Sequence, residues 1–336
     1  MSIEGVDTAA VTAWFERAVP SAQTPLQFEL VSGGKSNLTF GVRDNAGHRF
    51  VLRRPPLGHV LATAHDMSRE YRIITALYGK GVPVARTHGL CQDPAINGAD
   101  FYVMDFVDGT VLHDGAAGES IPMADRHALG ENVIDVLATL HQLDPDSVGL
   151  GELGRKEAYL ERQLKRWSKQ YDDSKTHEIP EMERCRQLLA ERMPTQIGTG
   201  IVHGDYRPGN FMVKGKQVAA VLDWELCTLG DVLADVGYLL NNWAEPGDPN
   251  GEALPTSAIG YPTRAELAAR YSARTGRDLA QIHYYQAFSH WRLSAIGQGV
   301  YKRFLMGAMG DQQIDLEGYK DSIQIRAQRA LELLGA

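Results

Sequence analysis

In the first third of the chain, short apolar runs are separated by turn residues, the pattern of β-strands. Residues 28–31, 38–42 and 49–53 form three such runs, and Asp44, Asn45, Ala46 and Gly47 make the turn between the second and third. Residues 82–87 and 101–107 add two more, which predicts a five-stranded sheet. Two helical stripes interrupt these strands. Asp7 caps a helix with Val11, Trp14, Phe15 and Ala18 on one side, expected to pack on the outside of the sheet region. Residues 66–78 carry Tyr71, Ile74 and Leu77 on one stripe, and Gly79 and Gly81 stop that helix. Beyond residue 108 the period becomes mainly helical. Leu129, Val133, Val136, Leu137 and Leu140 mark a helix over 125–142, and charged helices follow over 155–171 and 181–193. A helix runs from Asp231 to about Asn241, and Thr263 with Glu266 has capping-box form. Residues 278–309 predict a long helix broken near Gly297 and Gly299, and 319–334 a last one. The expected fold class is α+β with two domains. Residues 1–107 hold a five-stranded antiparallel sheet plus a helix, and residues 108–336 are mainly helical.

Composition changes this picture little. Of 336 residues, 43% are hydrophobic and 23% charged, which suits a globular protein with a substantial core. The net charge of −8 argues against a nucleic-acid partner. No apolar run approaches a membrane span, so no membrane partner is expected. Three cysteines, an odd number without metal spacing, point to a reducing, cytoplasmic setting. The first twenty residues lack a basic segment followed by an apolar run, so no export signal is expected. Oligomeric state is left open.

The second half contains one strand-like pair, 211–213 and 218–222, joined by Lys214, Gly215 and Lys216 as a hairpin. Around it lies the chemistry. His203, Gly204 and Asp205 precede the hairpin, Asn210 follows Asp205 by five positions, and Asp223 closes the second strand. The protein-kinase catalytic loop has the form H-x-D-x-x-x-x-N with a separate downstream Asp on magnesium. A hydroxyl attacking phosphorus must lose its proton, and Asp205 suits that task. Magnesium needs hard oxygen ligands, which Asn210 and Asp223 offer. Arg207 is placed to stabilise charge on a transferring phosphoryl group, although a surface role would place it equally well. His203 is expected to orient the loop by hydrogen bonds.

The segments HGDYRPGN and LDWE resemble the aminoglycoside phosphotransferase and choline kinase superfamily, which has a protein-kinase-like two-lobe fold. With LRRPP at 52–56, REY at 69–71 and FSHWR in the long late helix, the chain resembles one branch. That branch is related to the N-terminal phosphotransferase-like domain of acyl-CoA dehydrogenase family proteins. The resemblance covers nearly the whole chain. It implies ATP and Mg2+ as cofactors, a nucleotide-binding first lobe, and a second lobe with the catalytic loop and acceptor site.

Several positions follow from this frame. Ser32, Gly33, Gly34, Lys35, Ser36 and Asn37 lie between the first two strands, where glycines and hydroxyls can approach phosphate oxygens. No helix follows them, so this is not a Walker A loop. The usual strand lysine is absent. Val51 and Arg53 share a face, which selects Arg53 over Arg54 as the phosphate contact and Glu70 as its partner. The resemblance implies adenine contacts from the backbone near Met104, Asp105 and Phe106. It also implies that Asp235 braces the catalytic-loop backbone. Trp224, Glu225, Trp291, Arg292 and Tyr301 are candidate acceptor contacts.

Residues 279–310 contain no Asp or Glu but carry His283, His290, Arg292, Lys302 and Arg303, with Tyr284, Tyr285, Trp291 and Tyr301. Aminoglycosides and choline are cations that need carboxylates or aromatic cages. A neutral or anionic small-molecule alcohol fits this segment better, if it lines the pocket, and the branch suggests a hydroxyacyl thioester of coenzyme A. An aminoglycoside- or choline-type kinase and a catalytically silent nucleotide-binding module are the alternatives.

Overall fold

The computed structural model describes residues 3–32, 37–57, 66–248, 253–308 and 314–336. The chain divides into two compact units, Met1–Val111 with Phe211–Leu226, and Leu112–Asn210 with Cys227–Ala336. The division differs from the sequence-based boundary at 107/108 in one respect that matters. The hairpin at 211–221 belongs to the first unit, because its first strand pairs with Thr110 and Val111.

The first unit is built on a five-stranded antiparallel sheet. Its strands are β1 (Gln27–Ser32), β2 (Leu38–Arg43), β3 (Arg49–Arg54), β4 (Thr87–Cys91) and β5 (Phe101–Asp105), in the order β1-β2-β3-β5-β4. β4 starts at the residue where the expected strand over 82–87 ended. Pro83 lies in the segment expected as strand, and its carbonyl instead accepts from the Val221 N–H at 2.8 Å. Two helices pack on the sheet, α1 (Thr8–Ala18) and α2 (Met67–Leu77). Both start as expected, with Asp7 accepting from the Ala10 N–H and Asp66 from the Arg69 N–H. A one-turn helix, α3 (Pro94–Asn97), joins β4 to β5.

Strand alternation sorts β3 into two faces. Phe50 and Leu52 join Phe40, Val42, Phe101 and Val103 in a core that α1 covers with Val11, Trp14 and Phe15. Trp14 meets Phe101 edge-on at 4.9 Å between ring centroids. Arg53 lies on the other face. A second sheet of β6 (Thr110–Val111), β8 (Phe211–Lys214) and β9 (Gln217–Val221) completes this unit.

The second unit is mainly helical. Its longer helices are α5 (Met123–Gln142), α6 (Tyr159–Ser174), α7 (Pro180–Glu191), α8 (Leu233–Asn241), α9 (Arg264–Thr275), α10 (Ile282–Leu305) and α11 (Leu316–Leu333), with a short α4 (Gly115–Ser120) before them. The capping box at Thr263 is present. α10 is continuous, against the expected break. Gly297 serves packing instead: a Cβ there would lie 3.1 Å from Ile323 of α11. Gly237 likewise brings α8 onto α10, where a Cβ would meet Tyr285 at 2.7 Å. A two-stranded ladder that sequence patterning missed, β7 (Gly200–Val202) with β10 (Thr228–Gly230), delivers the chain to residue 203. Among the described residues no helix is long and apolar enough to cross a membrane. All three cysteines are buried and none forms a disulfide.

Candidate active site

The loop after β7 is held mainly through its backbone. Asp235 of α8, fully buried, accepts from the His203 N–H at 2.6 Å and the Gly204 N–H at 2.8 Å. Burial opposes the charged form of Asp235, yet His141, His203 and the Gly204 N–H hold its carboxyl below the usual range. Gly204 sits at φ 85°, a left-handed conformation that glycine takes without strain. The Asp205 N–H then donates to Nδ1 of His203 at 3.2 Å, so His203 orients the loop as expected. A 3-10 turn over Pro208–Asn210 brings Asn210 back to Asp205. Its Nδ2 donates to the Asp205 carboxylate at 2.7 Å and to the Asp205 carbonyl at 2.8 Å. With the amide nitrogen so engaged, the amide oxygen is the atom of Asn210 that can meet a cation.

Two cations flank this loop. Arg207 Nε lies 3.3 Å from Oδ1 of Asp205. Arg292 of α10 donates from Nη2 to the Gly204 carbonyl at 3.2 Å and stacks 4.9 Å above the Tyr238 ring. Burial, reinforced by the nearby Asp205 charge, raises the Tyr238 pKa. Of the late aromatics, Trp291 is fully buried and donates to the Met182 carbonyl, and Tyr301 is buried against His177. Both are core residues and are withdrawn as acceptor contacts. Helical spacing turns them inward while Arg292 faces the catalytic loop.

The first unit supplies a second group of polar residues. Arg53 Nη1 and Glu70 Oε1 lie 3.2 Å apart, the pairing expected from strand alternation. Arg54 points the other way and donates to the Asn97 carbonyl. Burial alone would lower the Arg53 pKa, but facing Tyr102, Glu70 and Asp223 reverse this and keep the guanidinium protonated. Burial pushes the Glu70 carboxyl up, with Arg53 opposing. Asn37, expected as part of a phosphate loop, is buried, with its amide 3.5 Å from Glu70 Oε2. Gly33, Gly34, Lys35 and Ser36 lie outside the described residues, and of Ser32 only the strand backbone is described. Asp223 follows β9 at φ 63°, a left-handed conformation that costs a non-glycine residue on the order of 1–3 kcal/mol. Trp224 beside it is buried, donating to the Val221 carbonyl, while Glu225 is exposed. That burial removes Trp224 from the acceptor contacts.

The backbone that the resemblance assigns to adenine lies at the end of β5 and just after it. The Asp105 N–H donates to the Arg86 carbonyl and the Phe106 N–H to the Arg49 carbonyl. Both donors are therefore committed within the unit. The Asp105 side chain pairs with His88, and the Phe106 ring carries the Arg49 guanidinium at 4.4 Å.

The donors present fit the implied cofactor chemically. The Asn210 amide in the second unit and the Asp223 carboxylate in the first each carry an oxygen of the kind magnesium prefers. Among the described residues, Arg53 Nε is a buried donor without a partner, a group that a phosphate oxygen could satisfy. His141 is the residue that sequence reasoning missed. It lies 94 positions before Asp235 and touches it at 3.3 Å. A histidine in the last turn of an amphipathic helix gives no local signal of such a partner.

Residues 27–285 match the APH phosphotransferase enzyme family, a span that includes Arg53, Glu70, Asp205, Asn210 and Asp223. Acyl-CoA dehydrogenase family member 10 of Mus musculus is 37% identical over 84% of this chain, and family member 11 of the same species 35% identical over 89%. The chain spans only 27% and 39% of those longer relatives. A solved structure from Ralstonia eutropha JMP134, named provisionally an aminoglycoside phosphotransferase, is 34% identical and superposes with a TM-score of 0.84 over 98% of both chains. A choline kinase from Cryptosporidium parvum Iowa II shares the fold at 13% identity, with a TM-score of 0.65 over 98% of this chain and 97% of that one. The chain belongs to the APH phosphotransferase enzyme family and has its protein-kinase-like fold.

Proposed function

We propose that this chain is an ATP-dependent phosphotransferase that moves the γ-phosphate to a hydroxyl of a small neutral or anionic molecule. Asp205 accepts the proton as the hydroxyl attacks. Asn210 and Asp223 hold magnesium, which when bound neutralises the phosphates and orients them. Arg53, kept in place by Glu70, contacts phosphate in the position where the family resemblance expects lysine. The observation that carries the reading is the Asn210 amide 2.7 Å from the Asp205 carboxylate, on a loop whose backbone is held by Asp235.

The acceptor class is the finer part of the proposal. The cationic character of α10 and the Arg292 guanidinium beside the catalytic loop disfavour an aminoglycoside or choline. A hydroxyacyl thioester of coenzyme A is the leading candidate, and the names of the longer relatives are in keeping with it.

The test is ADP release from magnesium–ATP across a panel of alcohols: hydroxyacyl thioesters, free hydroxy acids, sugars, aminoglycosides and choline. Stimulation by one of the first two classes supports the reading. Tight aminoglycoside binding by calorimetry overturns the ranking, and no stimulation by any alcohol overturns the reaction itself. A silent nucleotide-binding module is the second reading, favoured by the arginine that replaces the strand lysine. It predicts nucleotide binding without turnover.

A further inference from the structure

Arg292 leaves α10 toward the catalytic loop and rests on the face of Tyr238 of α8, 4.9 Å from the ring centroid. The hydroxyl of the same ring is hydrogen-bonded to the Asp205 carboxylate. One phenol ring therefore separates the guanidinium from the proton acceptor. Nη2 donates to the Gly204 carbonyl at 3.2 Å, which uses one of the five N–H groups of a guanidinium. Nε is buried without a partner, and among the described residues Arg292 forms no ion pair. The nearby carboxylates are already engaged. Asp205 holds Arg207 and Asn210, and Asp235 accepts from the His203 and Gly204 N–H groups. Other half-buried arginines of this unit differ: Arg264, Arg270 and Arg186 pair with Asp248, Asp135 and Asp172. A half-buried cation without a counter-ion is costly. Holding one backbone carbonyl needs only a neutral donor, so the loop contact alone does not account for the charge.

We propose that Arg292, resting on Tyr238, is the specificity-determining residue for the acceptor, and that its free N–H groups take a carboxylate or carbonyl oxygen a few bonds from the reacting hydroxyl. Tyr238 sets the spacing. A hydroxyl in reach of Asp205 and an oxygen in reach of Arg292 are one phenol ring apart, a gap that a short carbon chain spans. A planar guanidinium meets the two oxygens of a carboxylate, or one thioester carbonyl, with donors in fixed directions. Both sources share the same chemistry, an oxygen acceptor with full or partial negative charge. A cationic acceptor is repelled at the same place, because Arg207 adds a second positive charge beside Asp205. The Tyr238 ring and the Gly204 carbonyl hold the guanidinium in place before the acceptor arrives, which lowers the ordering cost of binding. This assignment rests on the phosphotransferase reading of Asp205, and one arm of its test does not need turnover.

The experiment compares the full-length chain with Arg292→Gln and Arg292→Lys on matched acceptors: straight-chain hydroxy acids, their coenzyme A thioesters, and diols of the same length without the carboxyl group. In the unaltered chain, kcat/KM should favour one of the first two classes over the diols. Arg292→Gln keeps an N–H donor for the Gly204 carbonyl but no charge. It should lose about 10- to 100-fold in kcat/KM for the favoured class, mostly through KM, and less than about threefold for the diols. Arg292→Lys keeps the charge without the planar fork and should fall between. A larger loss for the free acids than for the thioesters identifies a carboxylate as the group that Arg292 holds, and the reverse identifies a thioester carbonyl. In the arm without turnover, calorimetry follows the same acids and thioesters, lacking the hydroxyl, as they bind the chain without nucleotide. Their affinity should fall by a similar factor in Arg292→Gln. An equal loss for all three classes would mean that Arg292 only holds the loop, and would overturn the proposal. So would a parent chain that prefers the diols, or unchanged affinity for the hydroxyl-free analogues in a folded Arg292→Gln. If the unaltered chain phosphorylates no acceptor, the phosphotransferase reading fails, while binding of the analogues still decides the role of Arg292.

Discussion

Replacing Glu70 by alanine would leave the Arg53 guanidinium buried without its nearest counter-charge. Glu70 is 2% exposed at its side chain and Arg53 15%, at 3.2 Å. Removing one partner of such a pair costs about 3–5 kcal/mol, because the other charge stays out of water. The lower end applies here, since Asp223 and Glu225 also face Arg53 and its side chain keeps some solvent. We therefore expect Glu70→Ala to lose about 3 kcal/mol. Glu70→Gln keeps the volume and loses the charge, and should cost about 1–3 kcal/mol. The double variant Arg53→Met with Glu70→Leu removes both charges and fills the space. It should come within about 1 kcal/mol of the parent protein. Urea denaturation of the four proteins at neutral pH gives the comparison, with slopes checked for a common transition. A loss below about 1 kcal/mol in Glu70→Ala, or a double variant no more stable than the single, would refute the reasoning. In the same set, Arg53→Met should weaken magnesium–ATP binding, because the phosphate contact is gone even where the fold is restored.

Asp205→Ala should abolish turnover while leaving magnesium–ATP binding largely intact, measured by calorimetry beside ADP release. Asp223→Gly should relieve the left-handed strain but also remove a counter-charge of buried Arg53, so stability should stay within about 1 kcal/mol of the parent, while magnesium-dependent nucleotide binding is lost; unchanged binding would remove Asp223 as a ligand. Trp291→Ala should cost about 3–5 kcal/mol as a core truncation without a selective effect on any acceptor's KM. The Asp44 carboxyl lies below its usual range: burial opposes this, but the Gln23 and His48 N–H groups and the His48 ring outweigh it. A group lowered in the folded state contributes stability above its unfolded pKa and loses it as pH falls through the folded one. Urea midpoints should therefore drop below about pH 4, and Asp44→Asn should flatten that acid limb.

What could be read from sequence was mostly local. Helix starts at Asp7, Asp66 and Thr263 depend on side chains within three residues of the amide they cap. The choice of Arg53 over Arg54 needed only strand alternation. The catalytic loop was legible because its partners lie within five residues, as Asn210 does from Asp205. Features set by distant chain segments were not. The three-residue strand β7 pairs with β10 across more than twenty positions, too short to leave a pattern. Gly297 looked like a helix breaker until α11 was seen to need the space. His141 carries no mark in sequence of the carboxylate it serves.

The hairpin that belongs with the first unit is encoded far from the rest of it. On the ribosome, Thr110 and Val111 emerge about a hundred residues before the strand β8 that pairs with them. At about 5–20 residues per second, that is a wait of about 5–20 s. The three-stranded sheet β6-β8-β9 cannot form until that interval has passed. The same threading means that no single cut releases either unit whole, so splitting this protein into two complementing fragments requires carrying the segment Phe211–Leu226 across to the N-terminal piece.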